Sequence, residues 1–122
     1  MAVKSYEDLV VWQKSICLCK EIYAISGTFP PHEINGLANQ IRRAVVSIAS
    51  NIAEGHARPS RADFLKFLGI SSGSLAEVRT QMTIAIALGY VQQERVAYAI
   101  KLCSEISKML YALSEKLKTP QR

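Results

Sequence analysis

The chain has 122 residues, of which 49% are hydrophobic and 20% are charged. This length and composition predict one domain, residues 1–122, with a continuous core, and they exclude an extended disordered chain. The formal net charge of +5 at pH 7 gives weak attraction to polyanions without identifying a particular one.

Three cysteines, Cys17, Cys19 and Cys103, fall inside apolar helical patterns and are predicted to be reduced thiols in the core. Residues 17 and 19 point about 200° apart on a helix, so they cannot share a metal ion. The N-terminal residues MAVKSYEDL lack the features of a signal peptide, and no stretch is apolar enough to span a bilayer. These features predict a cytoplasmic protein with no membrane partner.

The first helix is predicted over residues 6–26, with Ser5 and Asp8 spaced as an N-cap pair. Helical spacing divides its apolar residues into two neighbouring sets. The first set is Leu9, Trp12, Ile16, Cys19 and Tyr23, and the second is Val11, Leu18, Ile22 and Ile25. The largest predicted core anchor is Trp12, in the first set. The presence of a second apolar set on a neighbouring face predicts that this helix contacts more than one partner helix.

Gly27 and the prolines at 30 and 31 predict a short link to a second helix over residues 33–54, which Gly55 ends in a left-handed conformation. This helix has a broad apolar sector and a narrow polar strip. The apolar sector consists of Leu37, Ile41, Ala44, Val45, Ile48 and Ile52, continued by Ala38, Val46, Ala49 and Ala53. The small polar residues of the strip predict a second surface close by.

Arg42 falls in the alanine-rich part of this sector rather than beside Arg43 on the strip. One interpretation is that its stem packs on apolar surface while its guanidinium reaches water or the carboxylate of Glu77 or Glu54. The other is that the alanine-rich sector is a subunit interface, because three companion helices cannot cover so much apolar surface, and that Arg42 pairs across this interface or points into a shared channel.

The third helix is predicted over residues 60–88, with Ser60 and Asp63 as its N-cap pair, and the fourth over residues 92–117. Their predicted seams are Phe64, Leu68, Ser71, Leu75, Val78, Met82 and Ala85, and Val96, Ala99, Cys103, Ile106, Leu110, Leu113 and Leu117. The small residues 71–74 predict close approach of a neighbouring helix. Four amphipathic helices with short links predict an all-α, up-down-up-down antiparallel four-helix bundle.

The sequence offers little for catalysis. It contains two histidines, and neither stands in an HExxH or paired ExxH motif; a glycine-rich phosphate loop is also absent. Glu54 and Glu77 lack histidine ligands on their helices, so we assign them, with Asn51, as interface or structural polar residues. We predict no enzymatic activity, no cofactor and no metal.

Positive charge is unevenly distributed, and residues 95–122 carry six basic and two acidic residues, a net of +4. Arg58, Arg61 and Lys66 bracket one bundle end, where the third helix presents free backbone amides; these three and Arg42 and Arg43 form the candidate nucleic-acid-binding set. The alternative is a solvated basic end without a ligand. Base stacking is not predicted at Arg58, Arg61 and Lys66, so the predicted contacts are directed to the nucleic-acid backbone with low sequence specificity.

Long motifs run through the first three predicted helices and into the turn that follows the third. The segments are YEDLVVWQKSICL, GLANQIRRAVVSIASNIAEG, FLKFLGISSGSLAEVRTQM and LGYV. They resemble the four-helix-bundle family called 23S rRNA intervening-sequence proteins, whose I-R-R-A-x-x-S-I-x-x-N-I-A-E-G helix is present without gaps at residues 41–55. One departure is the Ser71-Ser72 pair, where the family often has an alanine-rich step; this affects local packing only.

The resemblance implies a closed bundle that assembles as a homopentameric ring, related to the Avd-like accessory proteins that bind reverse transcriptases in diversity-generating retroelements. It implies no enzymatic activity, and it associates nucleic-acid binding with basic charge. Our first hypothesis is a non-catalytic homopentameric scaffold that binds RNA or DNA. The alternative is a protein-interaction adaptor, such as a reverse-transcriptase accessory subunit.

Overall fold

The computed structural model describes residues 4–119, which form four α-helices and three short 3-10 turns and contain no strand. The helices are α1 (Val10–Ser26), α2 (Leu37–Ala57), α3 (Arg61–Ala87) and α4 (Ala97–Lys118). None of the helices in this part of the chain is long and apolar enough to cross a membrane. The predicted all-α four-helix fold is confirmed.

The predicted helix ends need correction at three starts and one end. The predicted starts at residues 6, 33 and 92 fall at or next to the 3-10 turns Tyr6–Asp8, Pro31–Glu33 and Gln93–Val96, and the α-helices begin after these turns. Gly55 does not end α2 in a left-handed conformation, because the helix continues to Ala57. Within residues 4–119, the residue with a left-handed backbone conformation is Gly89, whose φ is +75°.

Neighbouring helices run antiparallel, because their contacts pair late residues of one helix with early residues of the next. Between α1 and α2, Ser26 contacts Arg42 and Cys19 contacts Val45; between α2 and α3, Ile48 contacts Ser71 and Ser47 contacts Ser74. Between α3 and α4, Arg61 contacts Leu117 and Arg79 contacts Ser104. Between α1 and α4, Lys14 contacts Glu105, and Glu21 contacts Arg95 just before α4 begins. Each helix therefore packs on two others around one core.

The core face of α1 is the second of its two apolar sets. Val11, Leu18, Ile22 and Ile25 are at most 5% exposed, whereas Ile16 and Tyr23 of the first set are 37% and 47% exposed. Trp12 is only half-buried. It packs against the edge of the core, so the prediction of a core residue near an edge is confirmed for Trp12, whereas Ile16 and Tyr23 of its set face outward.

All six predicted core residues of α2 are buried. Ala38 and Ala49 are also buried by the chain itself, at 3% and 6% exposure. The inference that their sector needs another subunit for cover is therefore wrong for these two residues. Val46 is different, since 43% of its surface remains exposed.

Small residues bring α2 and α3 together. The Ser71 hydroxyl donates to the Ile48 carbonyl at 2.9 Å, and the Ser74 hydroxyl donates to the Ser47 hydroxyl at 2.9 Å. These bonds satisfy both hydroxyls where the two helices are too close for larger side chains. The predicted close approach is confirmed at these serines, whereas a Cβ at Gly73 would meet nothing within 4 Å.

Candidate nucleic-acid interface

Two of the three cations at the predicted anion site are occupied by contacts within the chain. Arg58 forms an ion pair with Glu54 at 2.9 Å and lies 5.0 Å from the centre of the Phe67 ring. Arg61 donates to the backbone oxygens at the C-terminal end of α4, among them Leu117 at 2.6 Å. Lys66 remains exposed. The two arginines therefore stabilise the bundle end, and binding of an anion by these three residues stays a prediction.

The free amides predicted at the start of α3 are also partly used. The Ser60 side chain accepts a hydrogen bond from the Asp63 amide at 3.0 Å, which is the predicted N-cap. Asp63 itself places a negative charge in the first turn of α3. Both features reduce the attraction of this helix end for a phosphate.

Arg42 caps the C-terminal end of α1. Its Nε donates to the Ser26 hydroxyl at 2.7 Å, one terminal nitrogen lies 3.5 Å from the Tyr23 carbonyl, and the guanidinium lies 4.9 Å from the centre of the Tyr23 ring. The predicted carboxylate partner, Glu77 or Glu54, is therefore wrong. The carbonyls at a helix C-terminus carry partial negative charge, which the guanidinium offsets.

Arg43 remains exposed and lies at a polar groove between α2 and α3. The same groove contains Glu77 and the amides of Gln40 and Gln81, which approach each other to 3.4 Å. Asn51 lies one turn after Ser47 on α2, and its amide donates to the Ser47 carbonyl at 2.8 Å. Asn51 therefore has the structural role that the sequence predicts as one option.

Glu54 and Glu77 do not form one site. Glu54 lies one residue before Gly55, which packs against Phe64 and Phe67 near the start of α3, whereas Glu77 lies beside Gln40 near the start of α2. In residues 4–119, no group of three His, Cys, Asp or Glu side chains is placed to hold a metal ion.

The cysteines differ in environment. Cys103 is buried, and this burial raises the pKa of its thiol against the opposing effect of the Arg79 guanidinium. Cys19 is half-buried, which also raises its thiol pKa. Cys17 is exposed, so the prediction that all three are core thiols is wrong at this position.

Glu33 joins the two loops at one end of the bundle. One of its carboxylate oxygens accepts the Leu37 amide at 2.9 Å, and the other accepts the Tyr90 hydroxyl at 2.7 Å. The Tyr90 ring packs on Phe29, with ring centres 5.8 Å apart. The bond from the Leu37 amide, followed by that from Tyr90, lowers the pKa of Glu33, and the same carboxylate raises the pKa of Tyr90.

The substitution Glu33→Gln is expected to remove part of the acid-sensitive stability. Because the folded state lowers the pKa of Glu33 from 4.5, its ionised form stabilises the fold above that pH, and this contribution is lost as the pH falls through the folded-state pKa. Urea unfolding of the wild type and Glu33→Gln should therefore differ most at neutral pH and progressively less as the pH falls below 4.5. Tyr90→Phe, which keeps the ring, should be intermediate; a difference independent of pH would contradict the assignment.

An apolar groove lies between α1 and α2 on the outside of the bundle. We define the α1–α2 groove by its lining residues Tyr6, Trp12, Ile16, Cys19, Val46, Ala49, Ser50 and Ala53. None of these residues is Lys, Arg, His, Asp or Glu. Tyr6 and Trp12 pack edge to face at one end, with ring centres 5.2 Å apart. The groove therefore brings Trp12, Ile16 and Cys19 of the first set of α1 together with Val46 of α2.

A second exposed surface, which was not predicted from the sequence, lies on α4. Tyr98 and Tyr111 are 53% and 69% exposed, and Lys101 and Lys108 are exposed between them. We call these four residues the α4 outer face. All four lie outside the predicted seam of α4, so helical periodicity would have been enough to predict that they point outward.

The sequence model of the 23S rRNA-intervening sequence protein family matches residues 7–112. The chain belongs to this family. Among solved structures, it is similar to a protein of unknown function from the S23 ribosomal protein family of Bacteroides thetaiotaomicron VPI-5482, with 26% sequence identity and a TM-score of 0.80. That match covers 87% of this chain and 96% of the other. No curated protein matches the chain significantly.

The part of the chain that matches the 23S rRNA-intervening sequence protein family includes every predicted site residue, the α1–α2 groove except Tyr6, and the α4 outer face. The family match therefore spans these surfaces as well as the core of the bundle.

Proposed function

We propose that this protein is a non-catalytic homo-oligomeric scaffold that binds nucleic acid through phosphate contacts with low sequence specificity. The observation that carries the proposal is the α1–α2 groove, an apolar surface without charged side chains that the chain leaves exposed. Exposed apolar surfaces of this kind are typical of protein interfaces. Its exposed members include Ile16 and Val46, at 37% and 43%.

The net charge of the chain supports nucleic-acid binding, which is the second part of the proposal. Each copy carries +5, so assembly multiplies the positive charge on one particle. Phosphate contacts release counterions, which gives affinity without base recognition. The family resemblance implies five copies, and a role with nucleic acid agrees with the cytoplasmic location that the sequence predicts.

Assembly is tested by light scattering over a range of protein concentrations. The expected mass is five times the chain mass of 13.5 kDa. Val46→Glu should weaken assembly by roughly a hundredfold, because it places an unpaired charge in an apolar interface. Ile34→Glu is the control, since Ile34 is 64% exposed and lies at the bundle end outside the groove. A wild type that stays at the mass of one chain at every concentration contradicts the proposal.

Nucleic-acid binding is tested by gel shift at about 50 mM and 200 mM salt. Counterion release predicts a steep loss of affinity between the two concentrations. Absence of binding at the lower concentration, or binding that ignores salt, would remove this part of the proposal.

The alternative is an adaptor whose α1–α2 groove receives a different protein, such as a reverse transcriptase. The same groove favours this function, because an uncharged apolar surface accepts either kind of partner. A pulldown after nuclease treatment separates the two: retention of a protein partner that Val46→Glu abolishes favours the adaptor.

A further inference from the structure

The four residues of the α4 outer face follow an oblique path around the helix. Thirteen residue steps separate Tyr98 from Tyr111, so they lie about 20 Å apart along the helix axis. At 100° per residue, the two tyrosines are about 140° apart, on either flank of the outward side of α4, and Lys101 and Lys108 lie between them. Two lysines therefore lie between two exposed aromatic rings.

The positive charge of this face is not neutralised locally. The two acidic residues of α4 are each occupied by another lysine, Glu105 by Lys14 at 3.0 Å and Glu115 by Lys118 at 2.9 Å. Neither lysine of the α4 outer face forms an ion pair with a carboxylate of residues 4–119. Both ammonium groups are therefore available to an external anion.

The two tyrosine rings are also available. Neither takes part in the aromatic or cation–π contacts found among residues 4–119. Tyr111 is 69% exposed, whereas Trp12 is half-buried. An exposed ring offers a flat apolar surface to a planar partner.

We propose that the α4 outer face binds single-stranded nucleic acid, with Tyr98 and Tyr111 stacking on bases and Lys101 and Lys108 contacting the phosphates between them. This inference rests on the proposed function and adds the binding surface and the strandedness of the ligand. Bases in a duplex are stacked on each other, so only unpaired bases can stack on an exposed ring. Stacking tolerates any sequence, because every base has a π-face.

This face is a better site than the basic end formed by Arg58, Arg61 and Lys66. There, Glu54 and the end of α4 occupy the two arginines. Lysines without acidic partners lose no internal contact when they bind a phosphate, so the α4 outer face binds at lower cost.

The experiment measures fluorescence anisotropy of labelled single-stranded RNA and DNA of about 15 nucleotides, and of the matching DNA duplex. The double variant Tyr98→Ala/Tyr111→Ala should bind both single strands about ten-fold or more weakly, and the duplex within about two-fold of wild type. Tyr98→Phe/Tyr111→Phe keeps both rings and should stay within about two-fold for all three probes.

The lysines are tested with Lys101→Gln/Lys108→Gln. Loss of two phosphate contacts should weaken binding of the single strands and reduce the slope of log affinity against log salt by about 1.4. Lys20→Gln is the control, because Lys20 is an exposed lysine on the outward side of α1. Circular dichroism of each variant verifies folding, and photo-crosslinking of the wild type to a bromouracil-containing strand maps contacts without any substitution.

The inference is overturned if the alanine variant binds single strands like wild type, if it loses single-strand and duplex binding equally, or if crosslinks map away from α4. In the first and third cases the proposed function stands, since the protein still binds nucleic acid. If wild type binds none of the probes at low salt, the inference and the nucleic-acid part of the proposed function fall together.

Discussion

Gly55→Ala is expected to lower the free energy of unfolding by about 2 kcal/mol, because a Cβ at this position cannot be accommodated. It would lie 2.7 Å from the Cβ of Phe67 and 3.0 Å from a ring carbon of Phe64. The Cβ of Phe67 is attached to the backbone of α3, so relief requires the two helices to move apart. That movement would also disturb the serine contacts between α2 and α3.

The matched control is Gly69→Ala on α3. A Cβ there meets nothing within 4 Å, so alanine should raise the free energy of unfolding by about 0.5–1 kcal/mol through its better helix propensity. Urea denaturation of both variants, followed by circular dichroism, compares one chemical change at two sites. A Gly55→Ala variant as stable as Gly69→Ala would show that the α2–α3 contact at Gly55 leaves room for a methyl group.

Ile22→Ala is expected to cost about 2–5 kcal/mol, the range for removing a buried aliphatic side chain. Ile22 is fully buried on the face of α1 that packs between α2 and α4. Truncation leaves a cavity that two neighbouring helices cannot both close. The measurement is urea denaturation at a protein concentration low enough to prevent assembly.

Ile16→Ala provides the control on the same helix, with the same residue type. Ile16 is 37% exposed and lies in the α1–α2 groove, so its truncation should cost less than about 1 kcal/mol in the isolated chain. In the assembled state, the loss at Ile16 should instead appear as weaker association. Equal costs in the isolated chain would mean that both apolar sets of α1 contribute to the core.

Much of the bundle was predictable from local signals. The seams of α3 and α4 were recognised because apolar residues recur along them at helical spacing, and the buried Leu68, Val78 and Ile106 confirm them. The cap at Ser60 was predictable because a side chain three residues from an amide can reach it. Gly55 was misinterpreted because its role is to make room for α3, which the local sequence does not contain.

The candidate site was less predictable, since an exposed arginine and an arginine that caps a distant helix have the same sequence signature. Arg42 contacts the end of α1, and Arg61 contacts the end of α4, which lies far along the chain. Both were assigned to nucleic-acid binding, a role that remains a prediction. The α4 outer face was not predictable from the net charge of +4 over residues 95–122, because a charge count does not say which side of a helix carries the charge.

By itself, the sequence determined the number of helices, the inward seams of α2, α3 and α4, and membership of a family with long helical motifs, because periodicity and local caps act within a few residues of each other. Only the tertiary structure decided which face of α1 is buried, which cations have partners, and which apolar groove remains open. Those outcomes depend on contacts between helices that are distant in sequence, where packing selects one of several faces that local patterns allow.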